Sequence, residues 1–290
     1  MHNVLVATDL SDRARKALQR GLDLARRFDS RLAVLHVVDP DQPLKLRDEA
    51  LKSRLAWLEE ELERHDKPGV DLSIEVVPGA ADGTIVEFAE QANADLVVMG
   101  AHRRHLLRDV FVGTTIERVI RGTERPVLMV NREADSTYDK ALVAVDFSPI
   151  SERALTTAAN LDFLGASEVV LLHAYQPIGK TTLAAGGVDP KVIEAHTATT
   201  AAEALSSLRQ MAERHAATRA RGTKLHTVLE EGPALAVIER VAEREGAPLV
   251  VIGSHSHSGV LRFLLGSTAE SYLRTTTTAD VLVISPPASV

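Results

Sequence analysis

The sequence predicts an α/β protein built twice over, each copy an open five-stranded parallel sheet with helices on both faces. Three observations predict it. Short apolar runs alternate with helical stripes, the strand runs are apolar throughout, and the whole order repeats. A strand covered on both faces reads as a continuous apolar run, and parallel strands need a crossover helix between them. The repeat can be measured. Asp146 follows Asp9 by 137 residues, and His173 follows His36 by the same distance. Further on the offset is 153, as Gly232 against Gly79 and Gly253 against Gly100 show.

In the first copy NVLVATD (3–9) is a strand ending in Asp9, and Ser11 is placed to cap a helix striped by Ala14, Leu18, Leu22 and Ala25. RLAVLHVV (31–38) is the second strand. Leu51, Leu55, Leu58 and Leu62 mark a helix that ends before Pro68 and Gly69. DLSIEVV (71–77) is the third strand, Ile85, Phe88, Ala89 and Ala92 form a helical stripe, and DLVVMG (95–100) is the fourth strand. A helix carrying Ile116, Val119 and Ile120 leads to the last strand, PVLMV (126–130). The second copy opens with ALVAVD (141–146) and repeats the order, with 16 additional residues between its second and third strands. They are expected around TTLAAGGVDP (181–190), a run of small residues and glycines suited to a mobile loop. The expected boundaries are a first domain over 1–131, a polar linker over 132–139 and a second domain over 140–290. The apolar last strands, PVLMV and DVLVIS, are expected to pair, because an open apolar edge invites association. Pairing within the chain makes a pseudo-dimer, and pairing between chains is a further expectation.

Composition narrows the function. A net charge of −7 and a pI near 5.9 give no basic field for nucleic acid or an anionic membrane. Aromatic residues at 3% leave little for stacking on bases. The absence of cysteine excludes thiolate chemistry and disulfides, and fits the cytoplasm. No apolar run reaches the length of a membrane span, and MHNVLVATDL enters a strand pattern at once, so no leader is expected.

The stretch that carries chemistry occurs twice: GAHRRHLLRDVFVGTT (100–115) and GSHSHSGVLRFLLGST (253–268). Each lies between a strand and a helix, and each holds its outer glycines 13 residues apart. Glycine lets backbone approach a ligand closely, and the free N–H groups of a helix's first turn attract phosphate. Both stretches resemble the signature of the universal stress protein family: glycine, two residues, glycine, nine residues, glycine, then Ser or Thr. Gly100, Gly113 and Thr114 match it in one copy, Gly253, Gly266 and Ser267 in the other. The middle glycine is Arg103 in the first copy and Ser256 in the second.

The resemblance implies two tandem Rossmann-like (HUP-type) domains and a site for ATP, with Mg²⁺, at the carboxyl ends of the strands. It implies that an aspartate lies beside the nucleotide, that backbone after the second strand meets adenine, and that the glycine loop holds ribose and phosphates. Those positions are Asp9, Val37, Gly100, Gly113 and Thr114 in copy one, and Asp146, Ala174, Gly253, Gly266 and Ser267 in copy two. Arg103 either fills the phosphate path or holds a phosphate, with Arg104 and Arg108 adding positive charge. Ser256 is small enough to donate its hydroxyl. The bland reading is that these glycines and aspartates shape turns and cap helices.

Three lookalikes carry less weight. His102, His105, His255 and His257 lack a carboxylate or cysteine at ligand spacing, so no metal site is expected. AYQPIGKT (174–181) ends like a phosphate loop in Gly179, Lys180 and Thr181, but its first glycine is Ala174. Ser148 and Ser151 read as helix caps, with no histidine placed to activate them. The expectation is a stress-response nucleotide-binding regulator without dedicated catalysis. The alternative is a scaffold that kept the fold, lost the ligand and acts through protein contacts.

Overall fold

A computed structural model describes residues 1–65, 69–101, 114–134, 138–160, 168–177, 186–215, 224–254 and 265–287. The first half runs β1 (Asn3–Ala7), α1 (Asp12–Phe28), β2 (Arg31–Val38), α2 (Leu44–Glu63), β3 (Leu72–Pro78), α3 (Ala81–Gln91), β4 (Leu96–Gly100), α4 (Thr115–Gly122) and β5 (Val127–Val130). The second repeats it as β6 (Lys140–Ala144), α5 (Pro149–Asn160), β7 (Glu168–Tyr175), α6 (Pro190–Arg214), β8 (Lys224–Glu231), α7 (Ala234–Glu245), β9 (Leu249–Gly253), α8 (Ser267–Thr275) and β10 (Asp280–Ile284). None of the described helices is long and apolar enough to cross a membrane.

The helical stripes lie where their spacing puts them. Ala14, Leu18, Leu22 and Ala25 of α1 are all buried, and Ser11 caps the helix by accepting from the Ala14 N–H. Along the central strands neighbouring residues enter opposite layers. Val4, Val6, Leu96, Val98 and Leu128 join the layer beneath α1 and α2, while Leu5, Ala7, Val97, Met99 and Met129 join the layer beneath α3 and α4. Fully burying one such side chain is worth about 1.5–3 kcal/mol. The outer strand β3 differs from the expected apolar run, because its residues alternate between exposed and half-buried. It lies at an edge.

All ten strands form one sheet, ordered β3-β2-β1-β4-β5-β10-β9-β6-β7-β8. Within each half every pairing is parallel, and the chain reverses its direction across the sheet between β1 and β4, and again between β6 and β9. The halves join where β5 and β10 pair antiparallel, with Leu128 opposite Leu282. The expected pairing of last strands is therefore internal, and that edge is not left for a second chain. Both apolar layers run across the seam: Leu282 and Ile284 join Leu128 and Val130 in one, Val281 and Val283 join Val127 and Met129 in the other.

One stretch differs from expectation. The polar segment after β5 is built into the core: Tyr138 is buried, its hydroxyl donates to Asp280 Oδ2 at 2.5 Å, and Arg20 covers its ring at 4.6 Å. Asp280 Oδ1 accepts from the Asn131 and Arg132 N–H groups at 2.8 and 2.9 Å. The expected loop runs only as far as the start of a helix, since Asp189 caps α6 and Pro190 opens it. A proline fits there because the first helical N–H has no partner to lose. Residues 178–185 lie outside the described residues.

Candidate functional site

Each half makes the same turn after its first strand. Leu10 and Phe147 both take left-handed backbone angles, φ 64° and 61°, which strain an ordinary side chain. The preceding aspartate holds the turn: the Ser11 N–H donates to Asp9 Oδ1 at 3.0 Å and the Ser148 N–H to Asp146 Oδ1 at 3.1 Å. In the second half the Ser148 and Ser151 hydroxyls also donate to Asp146 Oδ1, at 2.5 and 2.9 Å. Those serines therefore shape the start of α5, as their sequence suggested.

The histidines of the repeat fasten the second strand to this turn. His36 Nδ1 lies 2.8 Å from the Thr8 carbonyl and His173 Nδ1 lies 2.7 Å from that of Val145. A carbonyl only accepts, so the hydrogen sits on Nδ1 in both rings. Burial lowers the His36 pKa, against the opposing pull of the Thr8 carbonyl.

In the second half these elements enclose a cavity of about 120 Å³, at the carboxyl ends of β6 and β9 where the strand order reverses. Open parallel sheets place their ligands at this point. Asp146, Ala174, Gly253, Gly266 and Ser267, five positions singled out from the sequence, all line it. Thr268 and Ala269 complete the wall as the rest of the first turn of α8, with Ala234 and Ile238 of α7 opposite. Sequence reasoning missed those four, which touch the cavity only because α7 and α8 converge there. The cap of α8 is Gly266, which offers no side chain. Its own N–H donates to the Ser254 carbonyl at 2.7 Å. No described residue accepts from the Ser267, Thr268 or Ala269 amides, so this helix end faces the cavity with the partial positive charge that phosphate seeks.

The first half is arranged differently. Asp9, Val37, Gly100 and Thr114 lie at or beyond the carboxyl ends of β1, β2 and β4, as expected. Gly100, however, is pressed against α1: a Cβ there would lie 2.8 Å from the Arg13 carbonyl oxygen and 3.0 Å from the Ala14 nitrogen. Its glycine serves strand–helix packing. The α4 end is closed by a reciprocal cap, with the Thr114 N–H donating to Glu117 Oε2 at 2.9 Å and the Glu117 N–H to Thr114 Oγ1 at 3.3 Å. Glu117 is buried, and Arg274 of the second half donates to its two oxygens at 2.8 and 3.3 Å. Burial raises the Glu117 pKa, but Arg274 and the Thr114 N–H outweigh it and hold the carboxyl below its ordinary range.

Arg103, Gly113 and Ser256 lie outside the described residues, as do His102, His105, His255 and His257 and the Gly179–Lys180–Thr181 run. Among the described residues, no three His, Cys, Asp or Glu side chains gather to hold a metal ion.

The comparisons with known proteins agree with this duplicated architecture. The universal stress protein family matches residues 1–131 and again 137–285. The chain belongs to the universal stress protein family. It is similar to universal stress protein E of Escherichia coli, 27% identical over an alignment covering 98% of this chain and 94% of that one. Over 44% of its length it is 31% identical to universal stress protein MJ0531 of Methanocaldococcus jannaschii, covering 81% of that protein. A universal stress protein from Archaeoglobus fulgidus has the same fold over 98% of both chains, with a TM-score of 0.72 at 23% identity.

In Gly100→Ala the new methyl meets backbone, which cannot rotate away, so α1 must shift. The expected cost is about 1–3 kcal/mol, read as a lower urea midpoint. An unchanged midpoint would mean the strand and helix have slack that the structure does not show.

Proposed function

We propose that this universal stress protein binds ATP in its second half and acts as a stress-response regulator, not a catalyst. The observation that carries the reading is the cavity at the β6/β9 reversal, walled by the uncapped first turn of α8. In this reading the amides of Ser267 and Thr268 and the Ser267 hydroxyl hold phosphate. Gly253 and Gly266 keep the wall low, backbone at Ala174 meets the base, and Asp146 lies beside the sugar. Ser256 belongs to the same loop. Mg²⁺ travels with the nucleotide phosphates rather than in a site of the protein's own. The Ser148 and Ser151 hydroxyls are committed to Asp146, which argues for binding over turnover. The cytoplasm is the compartment that fits this role.

The experiment is calorimetric titration of the full chain with ATP and Mg²⁺, beside Gly266→Val. The valine side chain fills the cavity wall at the cap of α8. Saturable binding that the variant weakens tenfold or more is the expected result. No binding at millimolar ATP would refute the nucleotide reading. It would leave the scaffold reading, which the sealed first-half helix end already favours for that half.

A further inference from the structure

The two halves begin corresponding helices with the same kind of string, Thr114-Thr115-Ile116-Glu117 and Ser267-Thr268-Ala269-Glu270. Both read as a capping box, a Ser or Thr followed three residues later by Glu. Only the first forms one. Glu117 turns back onto the Thr114 N–H, is fully buried, and is clamped by Arg274. Glu270 turns toward the seam instead, 2.8 Å from Arg274 and 3.6 Å from Arg121. Arg121 and Arg274 are themselves counterparts at the repeat offset of 153. Among the described residues, then, equivalent helix ends differ: a carboxylate is bonded to the first N–H in one half and none is in the other.

We propose that Glu117 is a built-in anion, occupying in the first half the helix end that a nucleotide phosphate takes in the second, so that each chain binds one nucleotide. This rests on the nucleotide reading of the second half. The field of a helix N-terminus extends over little more than its first turn and favours one negative group there. A carboxylate already bonded to the N–H, and paired with a guanidinium from the other half, excludes a second anion by charge and by position. Burial alone would push Glu117 toward its neutral form, but its bonds to Arg274 and Thr114 keep it ionised. Arg274 gives the arrangement a second property. It stands in the last turn of α8, the helix that walls the second-half cavity, so the residue that seals one half is held by the helix that opens the other.

The test uses the full chain, titrated with ATP and Mg²⁺, and photolabelled with an 8-azido adenine nucleotide followed by peptide mapping. The wild type is expected to take one equivalent and carry label in second-half peptides alone. Glu117→Ala frees the Thr114 N–H and leaves Arg274 facing it, so two equivalents and label in both halves are expected. Label in the wild type's first half alone overturns both readings, and two equivalents with label in both halves overturn the inference while leaving the nucleotide reading intact. So does a folded Glu117→Ala that still takes one equivalent. No binding to any form overturns the nucleotide reading and this inference with it. Where Glu117→Ala does not fold, the wild-type label map decides.

Discussion

Asp280→Ala is expected to lower the stability of the chain by about 3–5 kcal/mol, the usual result of removing one partner from a buried, hydrogen-bonded charge pair. Asp280 is wholly inaccessible and Arg20, 3.5 Å away, is 3% exposed. The carboxylate also receives the Asn131 and Arg132 amides and the Tyr138 hydroxyl. Alanine removes the acceptor these donors share from a position with no accessible surface. The arrangement occurs once, because the residue 153 positions earlier is Val127, an ordinary core side chain. Tyr138→Phe removes one hydrogen bond to that carboxylate and is expected to cost about 1.5–3 kcal/mol. Urea unfolding of the two variants measures both. A loss below about 1 kcal/mol in Asp280→Ala would mean that water reaches the site and that the pair is not buried in solution.

Leu282→Ala is expected to cost about 2.7–5 kcal/mol, the range for deleting a core leucine whose surroundings cannot close over the gap. Leu282 is fully buried, opposite Leu128 across the seam and beside Val251 in the next strand. The hole would open between the halves. The sole tryptophan, Trp57, lies in α2 of the first half, far along the chain from β10. Its fluorescence is expected to lose its midpoint together with the circular dichroism of the whole molecule, in one transition, because each apolar layer is continuous across the seam. A Trp57 midpoint that stays at the wild-type value would show that the halves unfold independently.

Much of the fold was legible because it is written in local periods. The stripe of α1, the apolar runs of the central strands and the equal spacing of Gly100 from Gly113 and Gly253 from Gly266 need no partner to be seen. The five second-half cavity residues were named through the family resemblance, whose positions fall where a strand ends or a helix starts. What the sequence hid depends on which distant group arrives. Tyr138 sits in a polar run and became core only because Arg20 and Asp280 met it there. Thr114 and Glu117 do carry a local signal, the capping box. Yet Ser267 and Glu270 carry the same one, and no described side chain caps their helix end. Glu117 meets Arg274 and Glu270 meets Arg121, each from the other half, and no short window of sequence contains either pair. Gly100 shows the converse, a motif glycine whose contact with Arg13 gives it a packing duty that spacing cannot reveal.

The antiparallel seam also sets a condition on biosynthesis. A ribosome delivers β5 some 150 residues before β10, the strand that covers it. At ordinary rates of translation that interval is on the order of ten seconds. Throughout it the nascent first half presents Val127–Val130 as a bare apolar edge, the kind that recruits a neighbouring chain. Two nascent chains on one message could pair edge to edge before either has made its own last strand. Slow synthesis of the second half therefore favours exchange between chains, and rapid completion favours the self-paired molecule.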